Sequence, residues 1–152
     1  MTEYINGVKT GGDPGEEHLV LLLENYNSID QGTWAIATNS SYLRNCIFYN
    51  TTGAQNDKII LKAFLAEGTY SMRIVYIKAA NVGYQEIDVG GTNWLSQDGY
   101  NGAAQYNQIA TVTGKTVTTS GVKDIEIYSS QKNGSASAYG IRILEIGIWR
   151  TV

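Results

Sequence analysis

Histidine, cysteine and proline each occur once, as His18, Cys46 and Pro14, and these scarcities close off much chemistry before any pattern is read. A lone cysteine forms no intrachain disulfide, so the bridge framework of a small secreted domain is absent. One histidine and one cysteine do not close a typical zinc site, and no metal or other cofactor is expected. A Ser–His–Asp triad would have to use His18, and no nucleophile-elbow motif supports it. His18 reads as an exposed or capping imidazole, and Cys46 as a small buried residue. A basic surplus is missing too. Eleven Lys and Arg stand against 14 Asp and Glu, for a net charge of −3, so nothing neutralises a phosphate backbone and nucleic acid is not an expected partner. The longest apolar run, Leu19–Leu23, falls far short of a membrane span. The polar stretch from Met1 to Gly15 contains no apolar core of a signal peptide, so the expectation is folding in a cytoplasm. The N-x-S/T sequons at Asn39, Asn50 and Asn133 are incidental on that reading.

What is abundant is tyrosine and glycine, with 11 Tyr and 17 Gly in 152 residues. A tyrosine ring packs while its hydroxyl stays wet, which suits two-sided strands and contact surfaces. The length is that of one domain able to bury a stable core. Residues 1–17 carry Gly7, Gly11, Gly12, Pro14 and Gly15 among polar neighbours and read as a flexible arm. The domain proper is residues 18–152.

From residue 18 onward, extended segments are bounded by Gly, Asn, Asp or Ser clusters. They fall near Leu19–Tyr26, Thr33–Thr38, Cys46–Tyr49, Lys58–Leu65, Thr69–Lys78, Glu86–Val89, Gln108–Val117, Lys123–Ser129 and Gly140–Arg150. No segment sustains an apolar 3.6-residue period. About nine strands at this spacing predict an all-β, antiparallel, jelly-roll-like sandwich.

Alternation assigns the faces. Ile59, Leu61, Ala63 and Leu65 share one face of their strand, with Lys58, Ile60, Lys62 and Phe64 on the other. Ile125 and Ile127 point inward while Asp124, Glu126 and Tyr128 point out. Two strands are apolar on both sides. One carries Tyr70, Met72, Ile74 and Tyr76 opposite Val75 and Ile77. The last carries Leu144, Ile146 and Ile148 opposite Ile141, Ile143 and Trp149. Such strands need cover on both faces. A neighbouring subunit is the expected cover, in preference to a long loop or the arm, with Ile60, Phe64, Ile141 and Ile143 at the interface. The segments around Gly68 and Gly121 also echo one another, each a short turn ending in Gly before an alternating strand. They read as one hairpin chemistry used twice.

The stretches "LAEGTYSMRIVY", "VGYQEIDVGGT", "TTSGVKDIEIYS" and "IRILEIGIW" resemble the body of carbohydrate-binding-module β-sandwiches over about residues 58–150. The longer run "HLVLLLENYNSIDQGTWAIATNSSYLRNCIFYNTTGAQNDKIILKAFLAEGTY", closing on "IWRT", resembles small virion proteins of tailed bacteriophages and viral metagenomes. That second resemblance implies a capsid decoration, spike or fibre domain, located in the virion and often a homotrimer, with capsid or tail proteins as partners. Calcium-binding members of the carbohydrate-binding group gather carboxylates from the first and last strands. Here those strands supply only Glu24 and Glu145, too few for a calcium site without further oxygen ligands.

Candidate sites are few. Glu86 and Asp88, like Asp124 and Glu126, lie two apart on a strand. Paired carboxylates suffice for glycoside hydrolysis, but this spacing is also that of an ordinary solvent face. Gly90-Gly91 opens a loop without the Lys-Ser/Thr of a phosphate site. The segment Gly90–Tyr106 holds Trp94, Tyr100 and Tyr106, whose rings either stack on sugars beside Asn93, Gln97, Asp98 and Asn101 or cap the end of the sandwich. Trp34 and Trp149, inside strands, read as core or interface. The first expectation is a non-catalytic virion structural module acting by assembly. The alternative is a carbohydrate-binding module using the aromatic segment. A catalytic role is not expected.

Overall fold

In the computed structural model, which describes residues 3–5, 8–10 and 18–151 (side chains from residue 19 onward), the alternating segments become strands of two antiparallel sheets packed face to face. The strands are β1 (Glu3–Ile5), β2 (Val8–Thr10), β3 (His18–Leu21), β4 (Ser28–Gln31), β5 (Trp34–Thr38), β6 (Cys46–Asn50), β7 (Lys58–Leu65), β8 (Gly68–Lys78), β9 (Tyr84–Val89), β10 (Thr92–Asp98), β11 (Gln105–Val117), β12 (Gly121–Tyr128) and β13 (Ile143–Arg150). One sheet has five strands in the order β10-β9-β12-β7-β4, the other four in the order β11-β8-β13-β3. β1 pairs with β2 and β5 with β6 as separate antiparallel ladders. The all-β, jelly-roll-like sandwich is thus as expected. The rest of the proposed arm, residues 1–17, lies outside the described residues.

The two main sheets hold nine strands, but not the nine expected. Leu19–Tyr26 divides into β3 and a 3₁₀ turn at Leu23–Asn25. β4 and β10 join the five-stranded sheet, while β5 and β6 leave the sandwich as a side hairpin. β10 was hidden because Gly90-Gly91 does not open a loop. With φ of 57° and 78°, the two glycines form the two-residue turn that brings Thr92 opposite Val89. A register shift between Asn93 and Leu95 then breaks the alternation, so that Trp94 and Leu95 are both buried. A second shift, between Ile143 and Glu145, does the same in β13. Ile143, Ile146 and Ile148 all reach the main core, whereas Leu144 faces the other way.

The echo around Gly68 and Gly121 is present but is not a pair of hairpins. β7 and β8 lie in different sheets, as do β11 and β12, so both turns are arches from one sheet to the other. They sit side by side, with Gly121 opposite Leu65 and Val117 opposite Gly68. The backbone N–H of Glu67 in one arch donates to Ser120 Oγ in the other at 2.8 Å.

The main core packs Tyr70, Met72, Ile74 and Tyr76 of β8 against Ile59, Leu61, Ile125 and Ile127 of the opposite sheet. The other face of β8 is also buried, but from within the chain. Ile47 forms a second apolar cluster with Val75, Ile77 and Leu144, flanked by Ala37, Tyr42 and Tyr49. The β5–β6 hairpin, together with the turn that joins its strands, therefore supplies the cover assigned to a neighbouring subunit. Asn107 of β11 fastens that turn: its Oδ1 accepts from the Leu43 N–H at 2.9 Å and its Nδ2 donates to the Ser41 carbonyl at 3.0 Å.

Candidate functional site

The three aromatic residues of Gly90–Tyr106 do not form one platform. Trp94 is 3% exposed and packs in the core, its ring 6.2 Å from that of Tyr70. It is a buried structural ring and is not available to a ligand, because the β10 register shift turns it inward. Tyr106 is 38% exposed and leans on Tyr42 at 5.8 Å on the outer side of the four-stranded sheet. Tyr100 is half-buried. Its N–H donates to Asp98 Oδ1 at 2.9 Å, and Asp98 Oδ2 accepts from Asn133 Nδ2 at 3.0 Å.

The proposed interface residues separate as well. Ile141 and Ile143 are buried in their own core at 0% and 1% exposure and have no surface to give a partner. Ile60 is half-buried. Phe64 is exposed, directly across from the equally exposed Val122.

The carboxylates have partners of their own. Glu86 is buried, not on a solvent face. It accepts the N–H of Ser130 at 2.5 Å and the Ser130 hydroxyl at 2.9 Å. Asp88 accepts the Tyr128 hydroxyl at 3.0 Å and an N–H of Asn93 at 2.9 Å. Burial first, and then the hydrogen bond and charge of Asp88, push the Tyr128 phenol up to about 12. Asp124 pairs with Lys62 at 2.5 Å and Glu126 with Lys58 at 2.8 Å. The hydrogen bond to Glu126 holds Lys58 above its ordinary value, against its partial burial. Glu24 is paired with Arg44 and Glu145 with Arg73. Among the described residues, no three His, Cys, Asp or Glu side chains gather as a metal site would require.

At the end of the sandwich where Asn50 meets Ile141, buried polar side chains organise the loops. Asp57 Oδ2 accepts from Asn50 Nδ2, the Thr52 hydroxyl and the Ala54 N–H. Gln85, with no exposure, donates to the carbonyls of Gly83 and Gly140 and accepts the N–H of Arg142. Every one of these bonds ties protein to protein, which makes the cluster scaffold.

The surface that does have the form of a site lies at the open edge between β3 and β7. A groove of about 510 Å³ there is lined by Val20, Leu21, Leu22, Asn25, Tyr26, Asn27, Leu61 and Lys62. Its size falls in the range of small-molecule sites. Tyr26 is 37% exposed and backed by a stack of rings. Phe48 lies under it at 5.3 Å and 11° from parallel, and Trp34 lies on Phe48 at 5.5 Å. The 3₁₀ turn and the bond from the Asn27 N–H to the Ile60 carbonyl at 2.7 Å fix the segment that carries it. An aromatic face flanked by two amides and by Lys62, whose ammonium is paired with Asp124, matches the two halves of a pyranose, its C–H face and its hydroxyl rim. The sequence held a signal for it in Asn25-Tyr26-Asn27, an aromatic between amides just after an apolar run. Its inclusion in the first strand concealed that signal.

This fold is the sandwich of carbohydrate-binding modules. The chain is similar over 86% of its length to the CBM36-1 domain of a multidomain xylanase from the hindgut metagenome of Trinervitermes trinervoides (TM-score 0.56, 19% identity, 95% of that chain). It is similar over 85% to a carbohydrate-binding module CBM36 solved with calcium and xylotriose (TM-score 0.56, 16% identity, 98% of that chain). A Paenibacillus xanthan lyase also matches (TM-score 0.66, 19% identity), over 80% of this chain but only 12% of the lyase. The likeness is to whole binding modules and to one part of a much longer enzyme. No protein-family model matches the chain. No curated protein sequence matches it either.

Proposed function

We propose that this domain is a non-catalytic carbohydrate-binding module and that its saccharide stacks on Tyr26 in the β3–β7 groove. The observation that carries the reading is the exposed Tyr26 ring, held by Phe48 and Trp34 and flanked by Asn25, Asn27 and Lys62. A ring already fixed in place loses little freedom when a sugar arrives, so more of the contact energy appears as affinity. Burial of a C–H face on the ring supplies the apolar part, and the amides replace water on the hydroxyls. The fold likeness to modules that span nearly the same length favours binding over catalysis, as does the structural use of each carboxylate pair. It also favours this reading over virion assembly, because the β5–β6 hairpin covers the outer face of β8 from within the chain, although Phe64 and Val122 stay exposed on the five-stranded sheet.

A glycan array tests the proposal. Wild-type protein is expected to retain at least one neutral glycan that Tyr26→Ala loses, with the melting profile of the variant preserved. Binding that survives Tyr26→Ala undiminished, or no glycan retained at all, would overturn it.

A further inference from the structure

Four arginines occur in the chain, and three have partners. Arg44 binds Glu24, Arg73 binds Glu145, and Arg150 donates to the Glu67 carbonyl at 2.6 Å. Arg142 differs. Its guanidinium lies over the Tyr49 ring, 5.2 Å from the centroid, and among the described residues it makes no hydrogen bond or ion pair. Its Nε is enclosed and unsatisfied, the sole such side-chain atom among the described residues. The residue is nonetheless firmly anchored. Its N–H donates to the fully buried Gln85 at 2.8 Å, and its carbonyl accepts the Ile77 N–H at 2.9 Å.

A buried, unpaired polar atom is costly, and this guanidinium stands without a carboxylate although the chain carries a net charge of −3. Tyr49 holds the group by its π-face and leaves the terminal N–H donors uncommitted. A planar fork of donors, positioned on a ring and attached to a rigid backbone, matches the oxygens of a planar or tetrahedral oxyanion. We infer that Arg142 on Tyr49 forms a second subsite that takes the anionic group of an acidic saccharide, a uronate carboxylate or a sulfate ester. The inference rests on the saccharide-binding reading but uses residues outside the Tyr26 groove.

Galactotriose, trigalacturonate and a sulfated galactotriose, titrated separately by calorimetry, isolate the charge and distinguish its two sources. At least one anionic ligand is expected to bind ten-fold or more tightly than the neutral one, and to weaken as salt is added. Arg142→Gln should reduce that preference below two-fold, and Arg142→Lys should restore only part of it, because the charge returns without the fork. Tyr49→Leu, which keeps the arginine but removes its ring, should weaken anionic binding in the same direction. The inference is overturned if neither anionic ligand is preferred, or if Arg142→Gln keeps the preference. Tyr26-dependent retention of a neutral glycan on the array, with no charged trisaccharide bound, would sink this subsite alone. An empty array together with no calorimetric binding would remove both readings.

Discussion

Asn50 Nδ2 donates to Asp57 Oδ2 at 3.0 Å, while Asn50 Oδ1 accepts the Ile141 N–H at 2.6 Å, so one side chain joins the loop after β6 to the start of the last strand segment. Asp57 is 1% exposed and holds three donors. Asp57→Ala would leave the buried Asn50 amide short of an acceptor and release the Thr52 hydroxyl and the Ala54 N–H, at about 1–3 kcal/mol. Chemical denaturation should show that loss, and hydrogen exchange should show earlier opening at Ile141.

Trp94→Ala is expected to cost about 3–5 kcal/mol, the range for removing a large buried ring. Glycan binding should survive at temperatures where the variant remains folded. A stable variant that has lost binding would instead place Trp94 in the site.

Alkaline stability should depend on Tyr128. Its folded-state value, about 12, lies above the ordinary 10, so the stability it contributes is complete below pH 10 and is lost as pH rises toward 12. Tyr128→Phe should flatten that part of the stability profile and remove a late phenolate transition from the ultraviolet titration. An unchanged profile would show that the hydroxyl is not held by Asp88 in solution.

Ile47→Ala opens the cluster between the β5–β6 hairpin and the four-stranded sheet. A loss of about 2–5 kcal/mol at any protein concentration is expected, because the cover belongs to the same chain. A loss that varied with concentration would restore the subunit explanation.

Strand faces were legible wherever period-two alternation ran unbroken. β7 and β12 bury Ile59, Leu61, Ile125 and Ile127 as read from the sequence. Legibility failed at the bulges, where one extra residue reverses parity, as with Trp94 beside Leu95 and Leu144 after Ile143. It also failed for partners distant in sequence. Nothing local indicates that Ile47 lies on Val75, that Tyr26 rests on Phe48, or that Arg142 rests on Tyr49. Sequence reading found that two-sided strands need cover but not that the hairpin supplies it. In the same way, the aromatic surplus was legible, but not the register shift that turns Trp94 into the core.

The most direct measurement is a chemical-shift titration of isotope-labelled protein with a neutral oligosaccharide that the array identifies. The account predicts saturable shifts concentrated on Asn25, Tyr26, Asn27 and Lys62, with ring-current changes carried through Phe48 to Trp34. Shifts confined to Tyr100, Asp98 and Asn133, or to Tyr42 and Tyr106, would contradict it.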